Sequence, residues 1–168
     1  KGRDAAEYGR RWMISSVRWA DESNRRPMVQ YYYESDMDLF DSNIYAKGAL
    51  VLNMLRQMLG YDAFWRTIRH YTNTYQFKNV ESQDLKRIFE DVTGQNLDWF
   101  FDQWVYTGGL PHLDIKYKYN RRNQHVKLTI RQIQDVASSS LFRLPLTVLI
   151  DNGGDIVRQD IWIEEEES

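Results

Sequence analysis

The apolar positions change period once along the chain. Up to about residue 108 they recur every three or four residues, the spacing of helix faces; from 113 to 163 they alternate, the spacing of strands. Between the two regimes lies Gly108-Gly109-Leu110-Pro111. Glycine tolerates turn dihedrals and Pro111 pushes Leu110 out of the helical region, so this stretch reads as a boundary.

Five helices are expected before it. The first runs from near Asp4 to about Ala20, with Trp12, Ser16 and Trp19 on one face. Residues 21–39 form a long connection holding Pro27 and the run Tyr31-Tyr32-Tyr33, aromatic enough to be expected packed. The second helix has Ser42 as candidate N-cap and Gly60 as its stop. Its apolar residues, from Ile44 to Leu59, surround most of the cylinder, the mark of a helix buried in a larger assembly. Asp62 is the candidate cap of a third helix, with Phe64, Ile68 and Tyr71 on one side. Ser82 is that of a fourth, which turns Leu85, Ile88, Phe89 and Val92 inward and ends at Gly94. A short fifth holds Trp99 to Trp104.

In the second half Leu113, Ile115, Tyr117 and Tyr119 share a face. Val126, Leu128 and Ile130 repeat the pattern, as do Leu144, Leu146, Val148 and Ile150. Asn152-Gly153 signals a hairpin turn, with 156–163 as the return strand. Four strands with one apolar face require a covering layer. Glu164–Glu167 reads as a solvated tail or a cut strand.

Composition adds bounds. With 168 residues, one domain or two small ones are expected. A net charge of -2 lacks the basic surplus of a general nucleic-acid binder, so no nucleic-acid partner is expected. There is no cysteine, which removes disulfides and thiolate metal sites and leaves the compartment undecided. No apolar run approaches the ~20 residues of a bilayer span. The chain opens at Lys1 with neither an initiator Met nor a signal-like segment, and reads as a piece of a longer protein.

The search for chemistry finds little that is complete. His70, His112 and His125 stand far apart in unlike segments, and there is no HEXXH pair, no Gly-x-Ser-x-Gly elbow and no phosphate-binding glycine loop. His70, on an amphipathic helix, reads as a surface residue. Trp99, Phe100, Phe101 and Trp104 read as core. Tyr45, on its own, reads as one more buried aromatic among 11 tyrosines.

One succession of segments changes that picture. Phe40-Asp41-Ser42-Asn43-Ile44-Tyr45-Ala46-Lys47-Gly48-Ala49 heads an apolar helix; Trp99-Phe100-Phe101-Asp102-Gln103-Trp104 follows, and then Gly109-Leu110-Pro111. In order and separation these resemble the aminopeptidase N type of zinc aminopeptidase, the gluzincin metallopeptidases, over nearly the whole chain. The resemblance implies an α+β fold. Residues 1–109 would be the helical C-terminal end of a thermolysin-like catalytic domain, and 110–168 the start of an antiparallel, incomplete β-sandwich. It implies a parent enzyme that hydrolyses N-terminal residues from peptide substrates. In that family HEXXH and a more distant Glu bind zinc and lie upstream of the stretch present here. Zinc is therefore expected in the parent and none in this chain, which would be inactive alone, its natural partner being the missing upstream part of the catalytic domain.

By the same resemblance Tyr45 matches the tyrosine whose hydroxyl donates to the oxyanion of the tetrahedral intermediate. Some members carry a second tyrosine where this chain has Phe40, which cannot donate, so one phenol is assigned. Lys47 and Gly48 are expected to be structural, Lys47 pairing with a carboxylate and Gly48 admitting a neighbouring backbone. Two rivals stand beside the enzyme: a non-catalytic peptidase-like scaffold, and an independent β-sandwich binding module with a helical cap. The broadly apolar second helix points instead to exposed apolar surface and self-association.

Overall fold

The computed structural model describes residues 2–135, 139–151 and 153–164. Five α-helices precede four strands, an α+β order: α1 Gly2–Ser23, α2 Tyr45–Leu59, α3 Tyr61–Tyr75, α4 Ser82–Thr93, α5 Asp98–Trp104, β1 Leu113–Asn120, β2 His125–Gln132, β3 Leu144–Asp151 and β4 Ile156–Ile163. The chain separates into two compact units, Lys1–Gly108 and Gly109–Ser168.

In the first unit α1 packs on α2, α2 on α3, and α3 on α4. Phe64 of α3 and Phe89 of α4 meet with ring centroids 5.8 Å apart, and Leu55 of α2 is fully buried. The aromatic segment of α5 is core as expected: Phe100, Phe101 and Trp104 are buried. Its entry is fixed by Glu90 of α4, whose carboxylate accepts the Leu97 N–H at 2.8 Å, and by the ion pair of Lys86 with Asp98.

Several helix ends differ from expectation. Gly60, at φ +87°, ends α2 and also serves as the N-cap of α3, so Asp62 lies inside the first turn of α3 rather than capping it. Glu81 caps α4, in a reciprocal pair with Asp84, and Ser82 is already helical. Gly94 does end α4, in the left-handed conformation. On α1 the buried residues are Val17, Ala20 and Asp21, while Trp12 and Trp19 face outward. The connection after α1 contains a short 3-10 helix, Asp36–Leu39, capped by Ser35. The connection, expected to be packed, buries Arg26 but not its tyrosines: Tyr31, Tyr32 and Tyr33 are all exposed.

In the second unit the strands form two separate antiparallel hairpins, β1 with β2 and β3 with β4, and the sheets do not close on each other. Register places Tyr117 opposite Leu128 and Ile115 opposite Ile130, so the apolar face read from alternation continues across β1 and β2; in the other pair Leu146 meets Ile161 but Val148 meets Gln159. Burial is deep at Ile130, Phe142, Leu144 and Ile163 and lost at Tyr117 and Tyr119. There the hairpins enclose an open apolar cleft of about 1020 Å³, lined among others by Tyr119, Val126, Leu128, Val148 and Trp162. Gln132 ties the hairpins together: its side chain donates to the Phe142 carbonyl and accepts the Phe142 N–H, both at 2.8 Å. Gly153 lies at φ +87°, as a tight turn requires. Asn152 of the expected turn, and the tail from 165 onward, lie outside the described residues.

Candidate functional site

Tyr45 is the first residue of α2 and is 61% exposed, so the buried-aromatic alternative does not hold. Phe40 lies beside it, ring centroids 6.2 Å apart. The phenol therefore stands exposed at the positive end of a helix dipole.

The turn that launches α2 is built differently from expectation. Ser42 does not cap the helix; Ile44 stands at the N-cap with no side-chain cap, and Asp41 braces the turn that leads into α2. Its Oδ1 accepts the N–H groups of Asn43 (2.9 Å) and Ile44 (3.3 Å), while its carbonyl accepts that of Tyr45 at 3.1 Å. Ser42 contributes only its carbonyl, which accepts the Lys47 N–H at 3.0 Å in a widened first turn.

Beneath this turn lies a cluster of buried polar groups. Arg26 is 7% exposed and donates from Nη2 to Asp41 Oδ1 at 2.8 Å. It also donates to the carbonyls of Pro27 (3.0 Å) and Asp38 (3.4 Å). Asn43, 2% exposed, donates from Nδ2 to Asp41 Oδ2 at 3.0 Å and to the Asn24 carbonyl at 3.3 Å. The segment bearing Arg26 is held by the end of α5, where the Val105 carbonyl accepts the N–H groups of Met28 (3.0 Å) and Val29 (3.2 Å). Gly108 fits closely there: a Cβ on it would lie 3.1 Å from the Arg26 carbonyl carbon.

Lys47 is 3% exposed. Burial pushes its ammonium below the usual lysine value of 10.5; the charge of Asp21 opposes that shift and the charge of Arg26 adds to it. Asp21 acts on Lys47 through its charge, while its direct ion pair is with Arg25 at 3.0 Å; the expected pairing of Lys47 with a carboxylate is not among the ion pairs of the described residues. Because folding lowers the proton affinity of Lys47, the unfolded chain binds more protons just below 10.5, and stability from this group rises with pH through that window. A Lys47→Met variant is expected to lack this rise. Urea melts at a series of alkaline pH values should show wild type gaining on the variant as the pH climbs toward 10.5. Gly48 makes room for a side chain, not for a backbone: a Cβ there would lie 3.3 Å from the Met28 methyl.

His70, His112 and His125 are exposed and lie on α3, before β1 and at the start of β2. Among the described residues no three His, Cys, Asp or Glu side chains are grouped to hold a metal ion. No helix among the described residues is long and apolar enough to cross a membrane.

The helical unit that presents this phenol has a specific match among known proteins. Residues 13–104 match the Peptidase family M1 domain. The chain belongs to peptidase family M1. Aminopeptidase M1-D of Oryza sativa subsp. japonica is 32% identical over 91 residues, which are 54% of this chain and 10% of that protein. Aminopeptidase N of Lactococcus lactis subsp. lactis is 36% identical over 74 residues, 44% of this chain and 9% of that protein. In structure, Legionella pneumophila aminopeptidase A, crystallised with aspartic acid, superposes with a TM-score of 0.68 at 19% identity over 85% of this chain and 17% of its own, a likeness of fold. The chain spans about a tenth of the length of these curated relatives.

Proposed function

We propose that this chain is part of a zinc-dependent metallo-aminopeptidase that hydrolyses N-terminal residues from peptides. Residues 1–109 would form the helical end of its catalytic domain and 110–168 the start of a β-sandwich domain. In this reading Tyr45 is the oxyanion donor. Attack of water on the scissile carbonyl builds negative charge on its oxygen, and a neutral phenol donates a hydrogen bond to it. The observation that carries the reading is an exposed phenol on the first residue of α2, inside the segment that matches the family. Zinc would be held by residues of the parent protein outside this chain. It would supply Lewis-acid chemistry, while these residues shape one wall of the site.

The test compares two purified samples. The longer protein is expected to contain stoichiometric zinc and to cleave aminoacyl anilides in a chelator-sensitive way, and the 168-residue chain to do neither. Turnover by the clean short chain would overturn the division of labour; a longer protein without zinc-dependent turnover would favour the scaffold. The same short chain is expected to self-associate, since Ile115, Tyr117, Tyr119 and Leu149 are exposed on its hairpins. A monodisperse monomer in size-exclusion chromatography with light scattering would contradict this and favour an independent binding module.

A further inference from the structure

We propose that Asp41, clamped by the buried guanidinium of Arg26, is a positioning residue that sets where the Tyr45 hydroxyl stands. This rests on the reading of Tyr45 as oxyanion donor.

The Tyr45 ring is mostly exposed and touches Phe40, so packing alone does not fix it. What fixes it is the backbone from which it springs, and that backbone hangs on one carboxylate. Asp41 receives four hydrogen bonds: from Arg26 Nη2, from the N–H groups of Asn43 and Ile44, and from Asn43 Nδ2. Its carbonyl then takes the N–H of Tyr45 itself. Capping alone does not require this apparatus, because a neutral Ser or Asn caps a helix about as well. Burying a guanidinium to reach it is costly unless the pair is well made. The cost here is visible, because Arg26 Nε is buried without a partner. The added charge pair ties the turn to the segment anchored on the end of α5, and so fixes the helix start against a second element. A hydrogen-bond donor to a transition state needs that kind of support, since displacement by about 1 Å can cost about 10²-fold in rate.

A kinetic double-mutant cycle in the longer, zinc-loaded protein tests this. Asp41→Asn keeps one oxygen to accept the N–H groups of Asn43 and Ile44, exchanges the oxygen that meets Asn43 Nδ2 for an amide nitrogen, and removes the charge held by Arg26. It is expected to lower kcat by about 10–10²-fold with KM little changed. In a Tyr45→Phe background the same substitution should change kcat by less than about twofold, because the hydroxyl it positions is gone. An equal loss in both backgrounds, or no loss in either, overturns the positioning role while leaving Tyr45 as donor. Full activity of Tyr45→Phe itself would remove the donor reading, and this proposal with it. If Asp41→Asn does not fold, as judged by its thermal melt, Asp41→Glu replaces it in the same cycle. Glutamate keeps the charge and lengthens the arm, and it is expected to show a kcat loss that again depends on the Tyr45 hydroxyl.

Discussion

Replacing Tyr45 by Phe in the longer, zinc-loaded protein is expected to lower kcat by about 10²–10³, the loss of one oxyanion donor and equivalent to about 2.7–4 kcal/mol. The substitution removes a single oxygen. The helix start does not depend on it, because the Tyr45 N–H is anchored on the Asp41 carbonyl at 3.1 Å. The ring stays beside Phe40, at the 6.2 Å spacing seen here. Since the side chain is exposed, the fold loses no buried hydrogen bond either. KM and zinc content should therefore hold while kcat falls, the pattern of an interaction made only in the transition state. Initial rates on an aminoacyl anilide, with metal analysis of the same samples, give the answer. A fall of less than threefold would leave Tyr45 as surface and nothing more. A matching rise in KM would mean that the phenol binds substrate and transition state alike.

Much of the helical unit was legible, because each helix carries its own periodicity and stop. Gly94 after Val92 and the Trp99–Trp104 cluster are local signals, and local signals survive folding. What was not legible depends on contacts between distant residues. Asp41 and Ser42 are adjacent, both good caps; only Arg26, fifteen residues earlier, selects Asp41. Lys47 is expected to be structural, but its residue type does not announce that it is buried, as it is on α2. Trp12 and Trp19 share a side of α1, but period alone does not say which side is covered, and the covered one carries Val17 and Ala20. The strands show the same limit. Alternation located three strands, and the Asn152-Gly153 signal gave the fourth as the return strand of β3; that the four form two separate sheets was not legible in the pattern. At the site, the phenol was found by its family pattern; the Arg26–Asp41–Asn43 support beneath it has no such pattern and emerges only from geometry.

Phe89 is where a single substitution should cost the fold most. It is fully buried on α4 against Phe64 of α3, in the layer that joins the helix pair. Truncating a phenylalanine in such a place to Ala typically costs about 3–5 kcal/mol, through lost transfer energy and the cavity left behind. A domain of this size has about 5–15 kcal/mol in all, so the variant would keep at best a part of it. Phe89→Leu, which leaves most of the volume filled, should lose much less. Phe77 provides the comparison on the same unit: it is fully exposed, so Phe77→Ala should stay within about 0.5 kcal/mol of wild type. Urea unfolding followed by tryptophan fluorescence reads the difference as a shift in midpoint at unchanged slope. Equal shifts for Phe89→Ala and Phe77→Ala would mean that the α3–α4 layer is not the core of the unit. A large shift for Phe89→Ala with kcat per folded molecule unchanged in the longer protein would separate the packing that holds the helices from the Asp41 turn that presents Tyr45.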